Sequence, residues 1–169
     1  MADFHQNGVI STLHNLSNRS LVEIENELRH YSKQAPIELI LPSLYTELKG
    51  DALKKIVSCL SEVKYLNHIT IGLDKATKSE FKSAKKFFSK LNQSHSVIWN
   101  DSPKMKKLDN DFKKLGIAPD QPGKGKNVWY CMGYTYSRNE AKSIALHDCD
   151  IITYTRELLA RLVYPVANP

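Results

Sequence analysis

Apolar positions along this chain fall alternately into helical spacing and into short continuous runs. From Ser20 onward, Leu21, Ile24, Leu28 and Tyr31 share one face and predict a helix over about residues 21–32. Ser20-Leu21-Val22-Glu23 starts it as a capping box, in which the hydroxyl and the carboxylate each satisfy an orphan backbone N–H. Pro36 then opens the run Ile37-Glu38-Leu39-Ile40-Leu41, which reads as a buried strand expected to end at Pro42. The alternation continues. A helix from about Asp51 turns Leu53, Ile56, Val57 and Leu60 inward, and a strand over His68–Leu73 ends at Asp74. A second capping box, Thr77-Lys78-Ser79-Glu80, precedes a helix with Phe81, Ala84, Phe87, Phe88 and Leu91 on its buried side. Ser94–Trp99 reads as a third strand, and Ser102-Pro103 as a helix start with proline at the first helical position. After a pause over residues 116–122, a helix is expected over 127–136, a fourth strand over 143–147 and a last helix over about 154–163. Strands and helices alternating at this spacing predict βαβ units, hence an α/β fold with a mostly parallel sheet and flanking helices.

Composition narrows the class. The chain has 169 residues, 41% hydrophobic and 25% charged, enough for one compact domain. Residues Met1–Asn18 are rich in Asn, Ser and His, so the organisation reads as a loose arm over 1–19 and a domain over 20–169. These proportions exclude disordered, collagen-like and disulfide-framework scaffolds. No apolar stretch approaches the roughly 18 residues of a membrane span, so no membrane partner is expected. Met1-Ala2-Asp3-Phe4-His5 lacks the features of a secretory signal, and a cytoplasmic address is the expectation. Cys59, Cys131 and Cys149 are odd in number and widely spaced, which suits reduced thiols and fits no zinc motif.

The net charge of +6 is unevenly placed: Lys75 to Lys126 holds thirteen lysines and no arginine. Such a stretch attracts anions of any kind, and lysines on outer helix faces are ordinarily a solvated surface. Nucleic-acid proteins interleave arginine and stacking aromatics among their basic residues; here arginine is absent where lysine is dense, and no nucleic-acid partner is expected.

In an open parallel sheet, ligands bind beyond the carboxyl ends of the strands. Those ends carry Pro42-Ser43-Leu44-Tyr45-Thr46-Glu47, Asp74-Lys75-Ala76-Thr77, Asn100-Asp101 and His147-Asp148-Cys149-Asp150. Residues two apart in extended chain project to one side, so Asp148 and Asp150 can converge on a divalent cation whose remaining ligands are substrate phosphates. The alternative for that pair is a solvated turn. Gly123-Lys124-Gly125-Lys126 precedes a helix: its glycines let backbone approach an anion, and its lysines add charge. The spacing is not that of a P-loop, and a flexible turn is the alternative. Glu47 and Asp74 could hold a base or ribose; singly, each also suits a helix start or a turn.

Taken in order, these motifs resemble those of GT-A glycosyltransferases, and among them the retaining glucosyl-3-phosphoglycerate synthase type. Leu41-Pro42-Ser43-Leu44-Tyr45-Thr46-Glu47 is similar to that family's P-A-L-N-E-E, and Leu73-Asp74-Lys75-Ala76-Thr77 to D-S-G-S-T. Gly123-Lys124-Gly125 matches G-K-G, and Asp148-Cys149-Asp150 is similar to D-S-D. The resemblance covers about Pro36 to Val166 and implies a Rossmann-like GT-A nucleotide-sugar-binding domain. By it, Pro42, Ser43, Leu44 and Glu47 would line the nucleoside pocket, and Asp74 and Lys75 would stand near the nucleobase or ribose. Lys75-Ala76 replaces the family's Ser-Gly, and Thr46-Glu47 its two adjacent acids. Lys124 would reach the nucleotide or sugar. Asp148 and Asp150 would hold Mg²⁺ or Mn²⁺, with Cys149 in place of serine; Asp150 and Lys124 would be the catalytic pair.

The implied reaction moves a hexose, glucose first, from a UDP- or GDP-linked donor to a small phosphorylated acceptor such as 3-phosphoglycerate. Family members are much longer and add an acceptor-binding half, with a histidine that completes the metal shell and a basic site for the acceptor phosphate. The expectation is therefore a donor-binding portion, not necessarily active alone, whose exposed apolar surface a homodimer would also cover. The alternatives are a nucleotidyltransferase-like domain, which shares the D-x-D logic but releases pyrophosphate, and a non-catalytic basic nucleotide- or nucleic-acid-binding module.

Overall fold

The computed structural model describes residues 19–168. Its order is α1 (Leu21–Tyr31), β1 (Ile37–Leu44), a 3-10 turn (Tyr45–Lys49), α2 (Asp51–Ser61), β2 (Leu66–Asp74) and α3 (Lys78–Phe88). There follow β3 (His95–Trp99), α4 (Pro103–Lys114), α5 (Lys124–Arg138), β4 (Ser143–Leu146) and α6 (Arg156–Ala167). The four strands form one all-parallel sheet in the order β3-β2-β1-β4, flanked by helices, as in a Rossmann-like GT-A domain. The expected arm falls almost wholly on residues 1–18, outside the described residues.

Both capping boxes form, Ser20 with Glu23 and Thr77 with Glu80. Two-residue alternation sends Ile37, Leu39, Leu41, Ile69, Ile71, Leu73 and Ala145 into one core with α1, α2, α3 and α6. Phe88 and Ala84 are buried there, but Phe81 and Phe87 are only half-buried; Phe81 stacks on Trp99 with centroids 5.2 Å apart.

The opposite face is polar, and α5 covers it over β1 and β2. Thr135 meets Thr70 at 3.3 Å, Tyr134 meets Ser96 at 2.9 Å, and Arg138 donates to the fully buried Glu38 at 3.5 Å. Asn127, 3% exposed, donates from Nδ2 to the Gly72 carbonyl at 3.0 Å. Gly72 permits this approach, since a Cβ there would lie 1.7 Å from Asn127 Oδ1 and 2.5 Å from Cys131 Sγ.

Several boundaries differ from the sequence expectation, three of them with a proline or glycine at the difference. Strand β1 passes through Pro42 to Leu44. Ile40 turns its carbonyl toward β4, accepting from the His147 amide at 3.1 Å, and the strand repeat aims the Pro42 nitrogen the same way. Pairing with β4 has ended by then, at Ile40 with Leu146, so the missing N–H costs no ladder bond. Helix α5 begins at Lys124 rather than Asn127, because Gly123 turns the chain at φ 122° and first-turn amides need no helical partner. The last helix begins at Arg156 and runs past Pro165, whose ring lies in its final turn.

Candidate functional site

Strand order reverses direction between β1 and β4: the chain moves outward through β2 and β3, then returns to the other side of β1. The strand ends part there, and a cleft of about 510 Å³ opens at their carboxyl side. Pro42, Ser43, Leu44, Glu47, Asp74, Lys75, Lys124, Asp148, Cys149 and Asp150 all line it. Every expected site residue is therefore brought to one cavity.

Their local roles differ. Glu47 Oε2 accepts from the Leu44 amide at 2.9 Å and from Ser43 Oγ at 3.0 Å, so this carboxylate caps the 3-10 turn and fixes the first loop. Asp74 Oδ1 accepts from Asn100 Nδ2 at 2.7 Å. Burial raises the Asp74 carboxyl above the ordinary aspartate value, against that hydrogen bond, and the Asp101 charge adds to the rise. Lys75 adopts φ 54°, a left-handed conformation that costs a side-chain-bearing residue about 1–2 kcal/mol. It turns the chain into the cleft, and Asp101 accepts from the Ala76 amide at 3.0 Å to hold the turn.

Lys124 projects from the first turn of α5 and pairs with Asp148, both side chains about half exposed. Cys149 is buried beneath the floor, where burial pushes its thiol up. His147 points into the core, its Nδ1 2.9 Å from Tyr154 Oη, and burial lowers it to about 4.

Of the remaining wall, the sequence reading had only Lys126, in the Gly123–Lys126 loop; the α4 side was not read. Met105, Lys106 and Asp109 of α4 face Lys126, Asn127 and Tyr130 of α5 across the cleft. Asp109 takes hydrogen bonds from Tyr130 at 2.6 Å and from Lys113 at 2.9 Å, and pairs with Lys126. Burial works against its charge, but these three donors hold its carboxyl well below the usual range. A further signal for this wall was Asn127, four residues before Cys131 on the inward stripe of α5.

No protein-family model matches the chain. Over all 169 residues it is 50% identical to a glucosyl-3-phosphoglycerate synthase of Persephonella marina, covering 100% of this chain and 42% of that protein. It resembles the N-terminal part of that synthase. A second glucosyl-3-phosphoglycerate synthase, from Methanococcoides burtonii, is 36% identical over 98% of this chain and 40% of its own length. The chain thus spans about two fifths of the synthases it matches.

The aspartates at the end of β4 allow a test of the metal expectation. Among the described residues, no group of three or more His, Cys, Asp and Glu side chains is gathered to hold an ion. Asp148 and Asp150 both line the cleft, and the Lys124 ammonium already sits against Asp148. Two carboxylates facing open space fit a hard divalent cation that takes its other oxygens from a bound phosphate, not a cage built by the protein alone. Among the described residues, no helix is long and apolar enough to cross a membrane.

Proposed function

We propose that the chain is the donor-binding part of a metal-assisted glucosyltransferase, which takes glucose from a nucleoside diphosphate sugar and passes it to phosphoglycerate. The observation that carries this reading is the convergence of four separate loops, at strand ends and a helix start, on one cleft in a chain half identical to a synthase of that name. Residues 20–169 form the donor domain in this reading, and the acceptor half corresponds to the part of the synthases beyond the match.

The chemistry follows from the residues. Pro42, Ser43 and Leu44, held by Glu47, form one wall of the nucleoside pocket, and Asp74 offers a carboxylate to the ribose or base edge. Asp148 and Asp150 would hold Mg²⁺ or Mn²⁺, which when bound supplies charge neutralisation to the departing diphosphate. Lys124 then leaves Asp148 for the phosphates, where it and the N-terminal amides of α5 stabilise the same developing charge. Transfer to the phosphorylated acceptor rests on positioning, with the sugar's reacting carbon presented at the open side of the cleft.

Calorimetric titration of UDP-glucose and GDP-mannose, with Mn²⁺ or Mg²⁺ and then with EDTA, tests the reading and chooses the nucleotide. The expected result is binding that needs the cation and weakens at least about ten-fold in Asp148→Asn with Asp150→Asn, the loss of one charge-assisted contact or more. Donor binding indifferent to EDTA and to both substitutions would refute it. Nucleic-acid binding that falls steeply with salt and ignores the aspartates would point instead to a basic module.

A further inference from the structure

Of the four strand ends that meet at the cleft, Asn100-Asp101 takes no part in the proposed transfer. The contacts of this end converge on one loop. Trp99 Nε1 donates to the Ala76 carbonyl at 2.7 Å, and Asp101 Oδ2 accepts from the Ala76 amide at 3.0 Å, so the end of β3 holds both backbone groups of Ala76. The backbone amide of Asn100 donates to the Leu73 carbonyl at 3.1 Å, and its side chain donates from Nδ2 to Asp74 Oδ1 at 2.7 Å. Three consecutive residues thus clamp the loop on both sides of Lys75, whose φ of 54° persists only where its neighbours fix it. The Asn100 side chain has no second task. Its Oδ1 is enclosed and, among the described residues, has no hydrogen-bond partner. A buried acceptor left unpaired is unfavourable, and turning the amide over would only set that oxygen against the Asp74 carboxylate. Asp74 therefore dictates the orientation of Asn100.

We propose that Asn100 is a positioning residue, whose amide holds the Asp74 carboxylate in place as the hydrogen-bond acceptor for the donor's nucleoside, while Trp99 and Asp101 fix the loop that carries it. Asn100 itself touches no substrate. The inference rests on the donor-site reading and adds to it a residue that acts through Asp74. One oxygen of Asp74 is committed to Asn100, which leaves the other to accept from the ligand. The carboxyl needs this support. Burial, and then the Asp101 charge, favour its neutral form; Asn100 heads the groups that oppose them, followed by Asn127 of α5 and the Lys75 charge. Cys131, also turned toward it from α5, is neutral, its thiol pushed up to about 12 by burial. Without the Asn100 amide, Asp74 takes up a proton at higher pH and ceases to be a pure acceptor.

The test reads Asp74 directly. Carbon NMR follows its side-chain carboxyl against pH in the ligand-free chain, assigned by its loss in Asp74→Asn, for the parent, Asn100→Leu and Asn100→Asp. In Asn100→Leu, which keeps the volume and removes the donor, Asp74 is expected to titrate at least about one pH unit higher. Calorimetry with UDP-glucose and GDP-mannose, each with Mg²⁺, is then repeated from pH 4.5 to 8. Affinity in Asn100→Leu should fall on acidification, starting at least about one pH unit above the parent. Asn100→Asp keeps the shape of asparagine and should do the reverse: two ionised carboxylates repel at pH 8, and affinity should recover as the pair takes up one proton, which replaces the amide hydrogen. A merely structural loss would lower affinity alike at every pH. An unchanged Asp74 titration in Asn100→Leu, or one pH dependence of affinity shared by all three proteins, overturns the proposal. A parent chain that binds neither donor refutes the donor-site reading instead, and the carboxyl titration, made without ligand, still decides whether Asn100 governs Asp74.

Discussion

Gly72→Ala tests whether α5, which carries Lys124 into the cleft, owes its place to one close approach. The new Cβ would lie 1.7 Å from Asn127 Oδ1, 2.8 Å from Asn127 Cγ and 2.5 Å from Cys131 Sγ. A side-chain tip can often swing aside, but Asn127 is enclosed and its amide is committed to the Gly72 carbonyl. The helix must lift or the amide must break its bond. Overpacking of this kind costs about 1–3 kcal/mol, and a buried amide left unsatisfied costs about 1–3 kcal/mol more. The sum, about 2–6 kcal/mol, should appear as a lowered urea midpoint with unchanged slope and, for a chain of this size, a fall in thermal midpoint of roughly 4–24 °C. Gly125→Ala is the control. Nothing lies within 4 Å of a Cβ at that first-turn position, so it should be neutral or stabilise by about 0.5 kcal/mol. Adding Asn127→Ala to Gly72→Ala should cost less than the two separately, since each relieves the other's clash. A Gly72→Ala protein within about 0.5 kcal/mol of the parent would refute the argument.

Other consequences are as direct. Lys75→Gly should stabilise the chain by about 1 kcal/mol in urea titration, because glycine adopts φ 54° without the left-handed cost. Asp109→Ala should speed amide exchange through α4 at least about ten-fold with little change in global stability, since α4 buries no residue and this carboxylate is its main tie to α5. Burial lowers His68 and His147 to about 4 in the folded chain, against 6.5 for an ordinary histidine. The unfolded chain therefore takes up protons first as pH falls, so their contribution is full above about pH 6.5 and is lost progressively toward pH 4. His147→Gln should flatten that part of the stability–pH curve; an unchanged slope would show that His147 is not buried neutral.

The fold was legible wherever local chemistry and tertiary packing agree. Both capping boxes, the strands and the inward stripes of α2 follow from spacing alone, because a buried parallel strand must be apolar on its core face and a helix must start at a cap. The site was legible as four loops, because a parallel sheet gathers its strand ends on one side. Pro42 misled because its effect depends on which neighbour its nitrogen faces, and that is set by where β4 stops. Gly123 misled because a glycine with φ 122° looks in sequence like the glycine of a flexible turn. The α4 wall was invisible for a different reason: Met105, Lys106 and Asp109 read as an ordinary solvated helix face, and only the docking of α4 beside α5 makes them part of the cleft.

That difference between walls bears on how the cleft would take its ligand. The β1, β2 and β4 ends are continuous with strands fixed by the main core, and α5 is tied to the sheet through Asn127, Thr135 and Tyr134. These parts carry Ser43, Asp74, Asp148 and Lys124, the groups that must be preorganised if electrostatics is to act on a diphosphate. Helix α4 is tied mainly through polar bonds to Asp109 and the edge-on contact of Phe112 with Trp129, 5.7 Å between centroids. The cleft therefore has a rigid charged floor and one adjustable wall, and Lys126 is shared between them. An anion drawn to Lys126 competes directly with Asp109, so ligand binding and the position of α4 are coupled through a single carboxylate. Donor affinity in Asp109→Ala measures that coupling: tighter binding means the carboxylate restrains Lys126, and weaker binding means the wall itself supplies contacts.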